Sequence, residues 1–160
     1  MDAYRRLTEL LDTGAARYRM IAHPPEGRTD VASRLRGHTL RQAAKSIVVR
    51  VATGKKSRRY VLAVVPGDRQ VDLGALVHRY GGRDAAFATR EVAERLAGSV
   101  SGSITPFAFS PELELVVDEG LLAEEEIFFN AGRLDLSVAL AVEDYVALAC
   151  PEVAAIAAEQ

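Results

Sequence analysis

The sequence predicts a mixed α/β domain spanning residues 1–160, and three observations carry that expectation. Apolar residues recur at helical spacing in several short segments, beginning with Tyr4, Leu7, Leu10 and Leu11. Two β-branched runs, Ile47-Val48-Val49 with Val51 and the segment 60–65, have the composition of buried strands. Gly54-Lys55-Lys56-Ser57 lies between those runs and turns the chain, so the pair reads as a hairpin. No Gly-x-Gly-x-x-Gly follows a first strand, which separates the chain from dinucleotide-binding α/β units. At 160 residues and 49% hydrophobic, the chain is large enough for one domain with a substantial core.

The elements follow in order. A helix is expected within residues 2–17, with Gly14 at its end. Residues 18–22 fit a short edge strand, stopped by His23-Pro24-Pro25. After a loop over 24–30, a short helix over 31–36 would turn Val31 and Leu35 inward, with Asp30 as N-cap and Gly37 as C-cap. Beyond the hairpin, Pro66-Gly67-Asp68 turns the chain. Asp72 then caps a helix carrying Leu73, Leu76, Val77 and Tyr80, which Gly81-Gly82 stops. Phe87 opens a short extended piece, and residues 91–96 form another helix ended by Gly98. Leu113, Leu115 and Val117 alternate with Glu112, Glu114 and Val116 in the manner of a half-buried strand. A helical turn is expected within 118–126, an apolar approach to a polar turn over 126–132, and a last strand at Leu134, Leu136 and Val138. The tail from 142 to 158 reads as largely helical, interrupted near Cys150-Pro151. Hairpin-like turns are expected to join several of the strands.

Composition removes whole classes of function. The first twenty residues are charged and no run approaches 18 apolar residues, so a soluble, cytoplasmic protein without membrane contact is expected. The lone Cys150 and the scattered His23, His38 and His78 offer no disulfide and no metal-ligand cluster, so neither metal nor cofactor is expected. The net charge of −2 conceals a division: residues 1–60 carry 14 Lys+Arg against 5 Asp+Glu, and residues 61–160 carry 6 against 17. A basic half can face a phosphate backbone, or the two halves can interleave and neutralise each other.

Candidate chemistry clusters in three places. Lys45 leads into the first apolar strand, either snorkelling to water or anchoring a phosphate, carboxylate or developing oxyanion. The loop Gly102-Ser103-Ile104-Thr105-Pro106 can bring a substrate close to backbone amides, or be an ordinary turn. Asn130, in Phe128-Phe129-Asn130-Ala131-Gly132, can hold a substrate amide or hydroxyl, or cap the turn. His23 before two prolines reads more readily as a loop histidine than as a base. Ser46, Ser101 and Ser103 lack a nucleophile-elbow context, which argues against a covalent serine mechanism.

The series Ala44-Lys45-Ser46, Gly102 to Pro106 and Phe129-Asn130-Ala131-Gly132 resembles the YbaK/ProX-type aminoacyl-tRNA deacylases, free-standing relatives of the editing domain inserted in bacterial prolyl-tRNA synthetases. The resemblance covers nearly the whole chain, and the Leu-Val-Val-Asp and Phe-Asn-Ala-Gly-Arg-Leu-Asp-Leu-Ser-Val stretches look closest to the YeaK-like branch. It implies a barrel-like mixed sheet surrounded by helices, with a cleft for the 3′ end of a mischarged tRNA. The family's lysine falls on Lys45, its Gly-x-x-x-Pro loop on Gly102 to Pro106, and a cleft-wall position on Asn130. Family members aimed at alanyl esters have a histidine near that last turn, and its absence here weakens an alanine assignment.

What the resemblance implies is hydrolysis of the ester between a small amino acid and the terminal adenosine, with Ser, Thr and Ala favoured over Cys. Lys45 and Gly102 would be catalytic, and Ser103, Ile104, Thr105, Pro106, Asn130 and His23 would contact substrate. Arg41, Lys55, Lys56, Arg58 and Arg59, on and beside the first hairpin, would meet the acceptor-stem backbone. A synthetase is a further expected partner. Two rivals stand beside this reading: a tRNA-binding module without catalysis, and a synthetase-associated protein with a degenerate site.

Overall fold

The computed structural model describes residues 2–159. Helix α1 (Ala3–Thr13) is capped by Asp2, whose carboxylate accepts from the Arg5 amide at 2.9 Å. It ends at Gly14, as the sequence predicts, and Ala15, with a left-handed φ of 51°, turns the chain toward β1 (Tyr18–Ala22). Helix α2 (Thr29–Arg36) starts earlier than expected, with Arg28 at the N-cap, and Asp30 instead pairs with Arg28 at 3.0 Å. It packs through its small residues Ala32 and Ser33, so Val31 is only half-buried and Leu35 stands 44% exposed.

The hairpin forms as expected from β2 (Ala44–Ala52) and β3 (Arg58–Pro66), paired antiparallel in unbroken register from Ala44↔Pro66 to Ala52↔Arg58. β4 (Arg69–Val71), which the sequence did not announce, precedes α3 (Leu73–Tyr80), capped at either end by Asp72 and Gly81. Phe87 closes β5 (Asp84–Phe87) rather than opening it, and α4 (Arg90–Ala97) ends at Gly98. β6 (Leu113–Asp118) pairs with β3 in parallel, a geometry no hairpin can give and for which residues 67–112 are the crossover.

Residues 126–130 form a full strand, β7 (Glu126–Asn130), paired antiparallel with β8 (Leu136–Ala141). α5 (Val142–Ala149) is followed by two short strands, β9 (Glu152–Ala154) and β10 (Ala157–Glu159), where a helical tail was expected. Alanine favours helix locally, but β9 pairs with β6 and β10 with β4. Buried Asp118 locks this arrangement, accepting from the amides of Ile156 at 2.9 Å and Ala157 at 3.0 Å.

The strands make a five-stranded sheet in the order β5-β2-β3-β6-β9, a three-stranded sheet β1-β8-β7, and the pair β10-β4. An isolated parallel bridge, Ala43↔Phe128, brings β7 against the start of β2, giving the mixed, barrel-like arrangement of sheets with helices around it. Each face of the large sheet has its own core. One holds Val48, Leu62 and Val64 with Leu7, Leu11, Phe107, Phe129 and Tyr145. The other holds Val49, Val51, Val61, Ala63 and Val65 with Leu76 and Ile156. Residues of β2 alternate between these cores, so Ser46 lies on the face of Val48, while Lys45 and Ile47 lie on the face of Val49.

Candidate active site

A cleft of about 540 Å³ opens where the edge of β2 is left unpaired. β5 covers β2 only from Val49 to Ala52, and the backbone bridge to β7 falls at Ala43, just before β2 begins. On the β5 side, the Val48 carbonyl accepts from the Ala88 amide at 3.0 Å and the Ala52 carbonyl from the Arg83 amide at 2.8 Å. Alternate residues of a strand direct their backbone polar groups to the same side, so the N–H and C=O of Ser46 point into the gap. The Ser46 hydroxyl is buried and has no hydrogen-bond partner among the described residues. Gly27, Ile47, Val48, Phe87, Ala88, Arg90, Ser101, Gly102 and Ile104 complete most of the lining, which contains no carboxylate.

Gly102 faces this cleft because nothing larger fits. Its φ is +90°, and a Cβ there would stand 2.7 Å from the Gly27 Cα and 3.0 Å from the Gly27 carbonyl oxygen. Its carbonyl accepts from the Asn130 side-chain amide at 2.8 Å, while its own N–H has no acceptor among the described residues. The loop is pinned from beneath. The Ser103 hydroxyl and amide both donate to the Val100 carbonyl, its carbonyl accepts from Gly132 N–H at 3.1 Å, and the Pro106 carbonyl accepts from the Tyr145 hydroxyl at 2.7 Å. Of the five loop residues, Gly102 and Ile104 therefore reach the cleft, whereas the expected contacts from Ser103, Thr105 and Pro106 are replaced by burial in the core.

Asn130 is neither a turn cap nor free to hold substrate. It ends β7, 6% exposed, and both amide protons are spent on the carbonyls of Glu26 and Gly102, each at 2.8 Å. Its oxygen accepts from the Ser137 hydroxyl at 2.8 Å and from the Arg36 guanidinium at 3.3 Å. That fills its hydrogen-bonding capacity within the protein. His23 meets the same network through Ser137, with Nε2 2.6 Å from Oγ, while Nδ1 lies 2.9 Å from the Pro24 carbonyl. A chain of hydrogen bonds thus runs from His23 through Ser137 and Asn130 to the carbonyl of Gly102.

Arg36 has no carboxylate partner among the described residues, and burial lowers its pKa to about 10. Its Nε donates to His38 Nε2 at 2.9 Å, and His38 Nδ1 lies 2.8 Å from the Thr39 carbonyl, which fixes a neutral tautomer. Burial first, then the cations Arg36 and Arg19, pushes His38 down to about 4.

Lys45 is not turned toward Gly102. Its ammonium donates to the Arg69 carbonyl of β4, on the sheet face opposite Ser46, and burial lowers its pKa against an opposing pull from Asp68. The five cations expected at tRNA also separate. Lys55, Lys56 and Arg58 stand exposed at the hairpin tip without an acidic partner among the described residues. Arg59 pairs with Glu114 at 2.9 Å, and Arg41 lies 3.7 Å from Glu124 at the other end of the strands, about 25 Å away. Together with Arg17–Glu143 and Arg19–Glu126, these pairs show the two halves of the chain neutralising each other over much of the surface. A larger cavity of about 770 Å³ beside Arg17 and Arg19 is walled by Glu124, Glu125, Glu126 and Glu143, which repel a phosphate backbone.

A family model, the aminoacyl-tRNA editing domain, matches residues 23–148, a span that contains every part of this cleft. The chain belongs to the aminoacyl-tRNA editing domain family. It is 40% identical over 150 residues to the multifunctional Ser/Thr-tRNA deacylase ProXp-y of Escherichia coli (strain K12), covering 93% of this chain and 89% of that protein. A crystal structure described as a candidate trans-editing enzyme for prolyl-tRNA synthetase superimposes with a TM-score of 0.80 at 25% identity, covering 99% of this chain and 98% of the other. The protein APE2540 shares the fold at a TM-score of 0.85 and 20% identity, over 96% and 99% of the two chains. The barrel-like mixed sheet expected from the sequence is the fold of these editing domains.

Sequence reasoning missed Ser46, Gly27, Phe87, Arg36 and Ser137 as parts of the site. Ser46 and Phe87 become visible only when β5 is seen to stop at Val49. Ser137 depends on the register Asn130↔Ser137, and no short-range pattern marks that pairing.

Proposed function

We propose that this protein is a trans-editing aminoacyl-tRNA deacylase that hydrolyses the ester joining a small amino acid, serine or threonine foremost, to the 3′-terminal adenosine of mischarged tRNA. The observation that carries this reading is the glycine-gated cleft. Gly102, whose N–H has no acceptor among the described residues, lines the cleft together with Ser46 at the open edge of β2. The likeness to the Ser/Thr-tRNA deacylase supports the same substrate class.

Water attacks the ester carbonyl carbon, the bond to the ribose oxygen breaks, and free amino acid and tRNA with its terminal hydroxyl are released. Gly102 N–H is the donor aimed at the developing oxyanion. Asn130 holds the carbonyl of that same residue and so anchors the loop that carries the Gly102 amide. The substrate's α-ammonium is placed against the outward carbonyl of Ser46. The cleft holds no evident general base, so positioning of an already labile ester supplies most of the rate. Lys45 swings from the Arg69 carbonyl to the phosphate of the terminal nucleotide, one residue along the strand from the cleft edge. Lys55, Lys56 and Arg58, about 20 Å along the hairpin from Ser46, meet the acceptor-stem backbone. The protein works in the cytoplasm on tRNA that a synthetase has mischarged.

The test is deacylation of tRNAs carrying Ser, Thr, Ala, Cys and Pro by wild type, Lys45→Ala and Gly102→Ala. The expected outcome is clearance of the seryl and threonyl esters by wild type alone. Binding of tRNA with every ester left intact would instead mark a non-catalytic module.

A further inference from the structure

Phe87 is the one aromatic residue this chain leaves in water. It is 57% exposed, whereas every other phenylalanine and tyrosine is buried or half-buried. Phe87 lines the cleft, and it is held there rigidly. It closes β5 opposite Val49, and the next residue, Ala88, donates its amide to the Val48 carbonyl at 3.0 Å. The cross-strand pairing places its ring on the same face of β2 as Ile47 and Lys45. Arg90 is the single charged residue in the cleft lining.

We propose that Phe87 is the stacking platform for the 3′-terminal purine base of the tRNA, making the outer rim of the cleft a base subsite. The proposal rests on the deacylase reading. In that substrate one ribose carries both the ester and the base, so a cleft that takes the ester must offer the base a surface at its rim. An unpaired base presents a flat apolar face followed by a phosphate, which matches an exposed ring beside Ile47 with Lys45 further along that face and no carboxylate in the lining. Arg90, at the start of α4 and paired with Glu94 at 3.2 Å, is the charged residue at the same edge. Stacking accepts any base in principle, so the contact supplies affinity and placement, while the invariant end of tRNA supplies the base.

Two variants test this. For Phe87→Ala, the expected result with Ser-tRNA is a KM raised about tenfold with kcat nearly unchanged, and Phe87→Tyr restores the wild-type KM. The chain contains no tryptophan, so Phe87→Trp installs a single fluorescent reporter at the proposed platform. Its emission is expected to be quenched by uncharged tRNA ending in its terminal adenosine, and not by the same tRNA lacking that nucleotide. Equal quenching by both tRNAs, or an unchanged KM in an active Phe87→Ala protein, overturns the base subsite while leaving the deacylase reading intact. An unchanged KM accompanied by loss of a dimer in sedimentation assigns the ring to self-association and also overturns it. Absence of ester cleavage by wild type overturns the deacylase reading instead, whereas the tryptophan response still reports on the base.

Discussion

The two ends of the β2–β3 hairpin are built on opposite principles. At the Ala44 end, polar groups are buried and almost all spoken for: Asn130 makes four hydrogen bonds, and Ser103, Ser137 and the Pro106 carbonyl are each tied into the frame. Left without protein partners there are the Gly102 amide and the Ser46 hydroxyl, with the edge of β2 beside them. At the other end, Lys55, Lys56 and Arg58 are exposed cations with no fixed partner among the described residues. One end can define a geometry to a fraction of an ångström, and the other supplies only charge. Reaction and long-range attraction are thereby separated by the length of a strand, and each can be damaged without the other.

Asn130→Ala is expected to have the largest effect on this contrast. It strips the donors from the Glu26 and Gly102 carbonyls, lowering stability by about 2 kcal/mol in urea denaturation. Deacylation is expected to fall about 100-fold as the loop carrying the Gly102 amide loses its anchor, with tRNA affinity nearly retained. A variant that destabilises without slowing turnover would detach the network from the reaction. Replacing Lys55, Lys56 and Arg58 by alanine together should do the reverse. Binding weakens, and the log–log dependence of affinity on salt becomes shallower by about 2, while single-turnover hydrolysis at saturating enzyme stays at the wild-type rate. An unchanged salt slope would place the acceptor stem elsewhere.

The smallest expected effect concerns His38, on the ordered side. Its folded pKa near 4 lies below the ordinary 6.5, so the folded state favours the neutral ring. The stability this contributes is complete above pH 6.5 and is lost as pH falls through 4. An NMR titration of the His38 ring is expected to show a midpoint near 4, and a midpoint at 6.5 would mean that Arg36 does not donate to a fixed neutral tautomer.

How much of this was legible in the sequence follows the range of the forces involved. Local signals held: the caps Asp72, Gly37 and Gly81, the hairpin, and the strand Tyr18–Ala22 are written in neighbouring residues. Long-range pairing defeated local reading in the tail, where Ala154, Ala157 and Ala158 favour helix in isolation yet pair with β6 and β4 across Asp118. The same limit applies at the site. Gly102 and Asn130 could be singled out as residue types suited to a cleft, but a type does not reveal that Asn130 spends all its bonds within the protein, one of them on the Gly102 carbonyl. Ser46 appears in the sequence only as the neighbour of Lys45, and its prominence comes from where β5 stops. Lys45 stood out by its place at the start of an apolar strand, but its bond to Arg69 depends on β4, a strand too short to announce itself.

The most direct test of the central claim is single-turnover hydrolysis of Ser-tRNA by wild type and Gly102→Ala, with tRNA binding measured in parallel. A Cβ at Gly102 meets the Gly27 backbone at 2.7 Å, so the loop must move and carry the amide away from the ester. The account predicts a rate lower by about 100-fold or more with binding of uncharged tRNA retained. A Gly102→Ala protein that hydrolyses Ser-tRNA at the wild-type rate would contradict it.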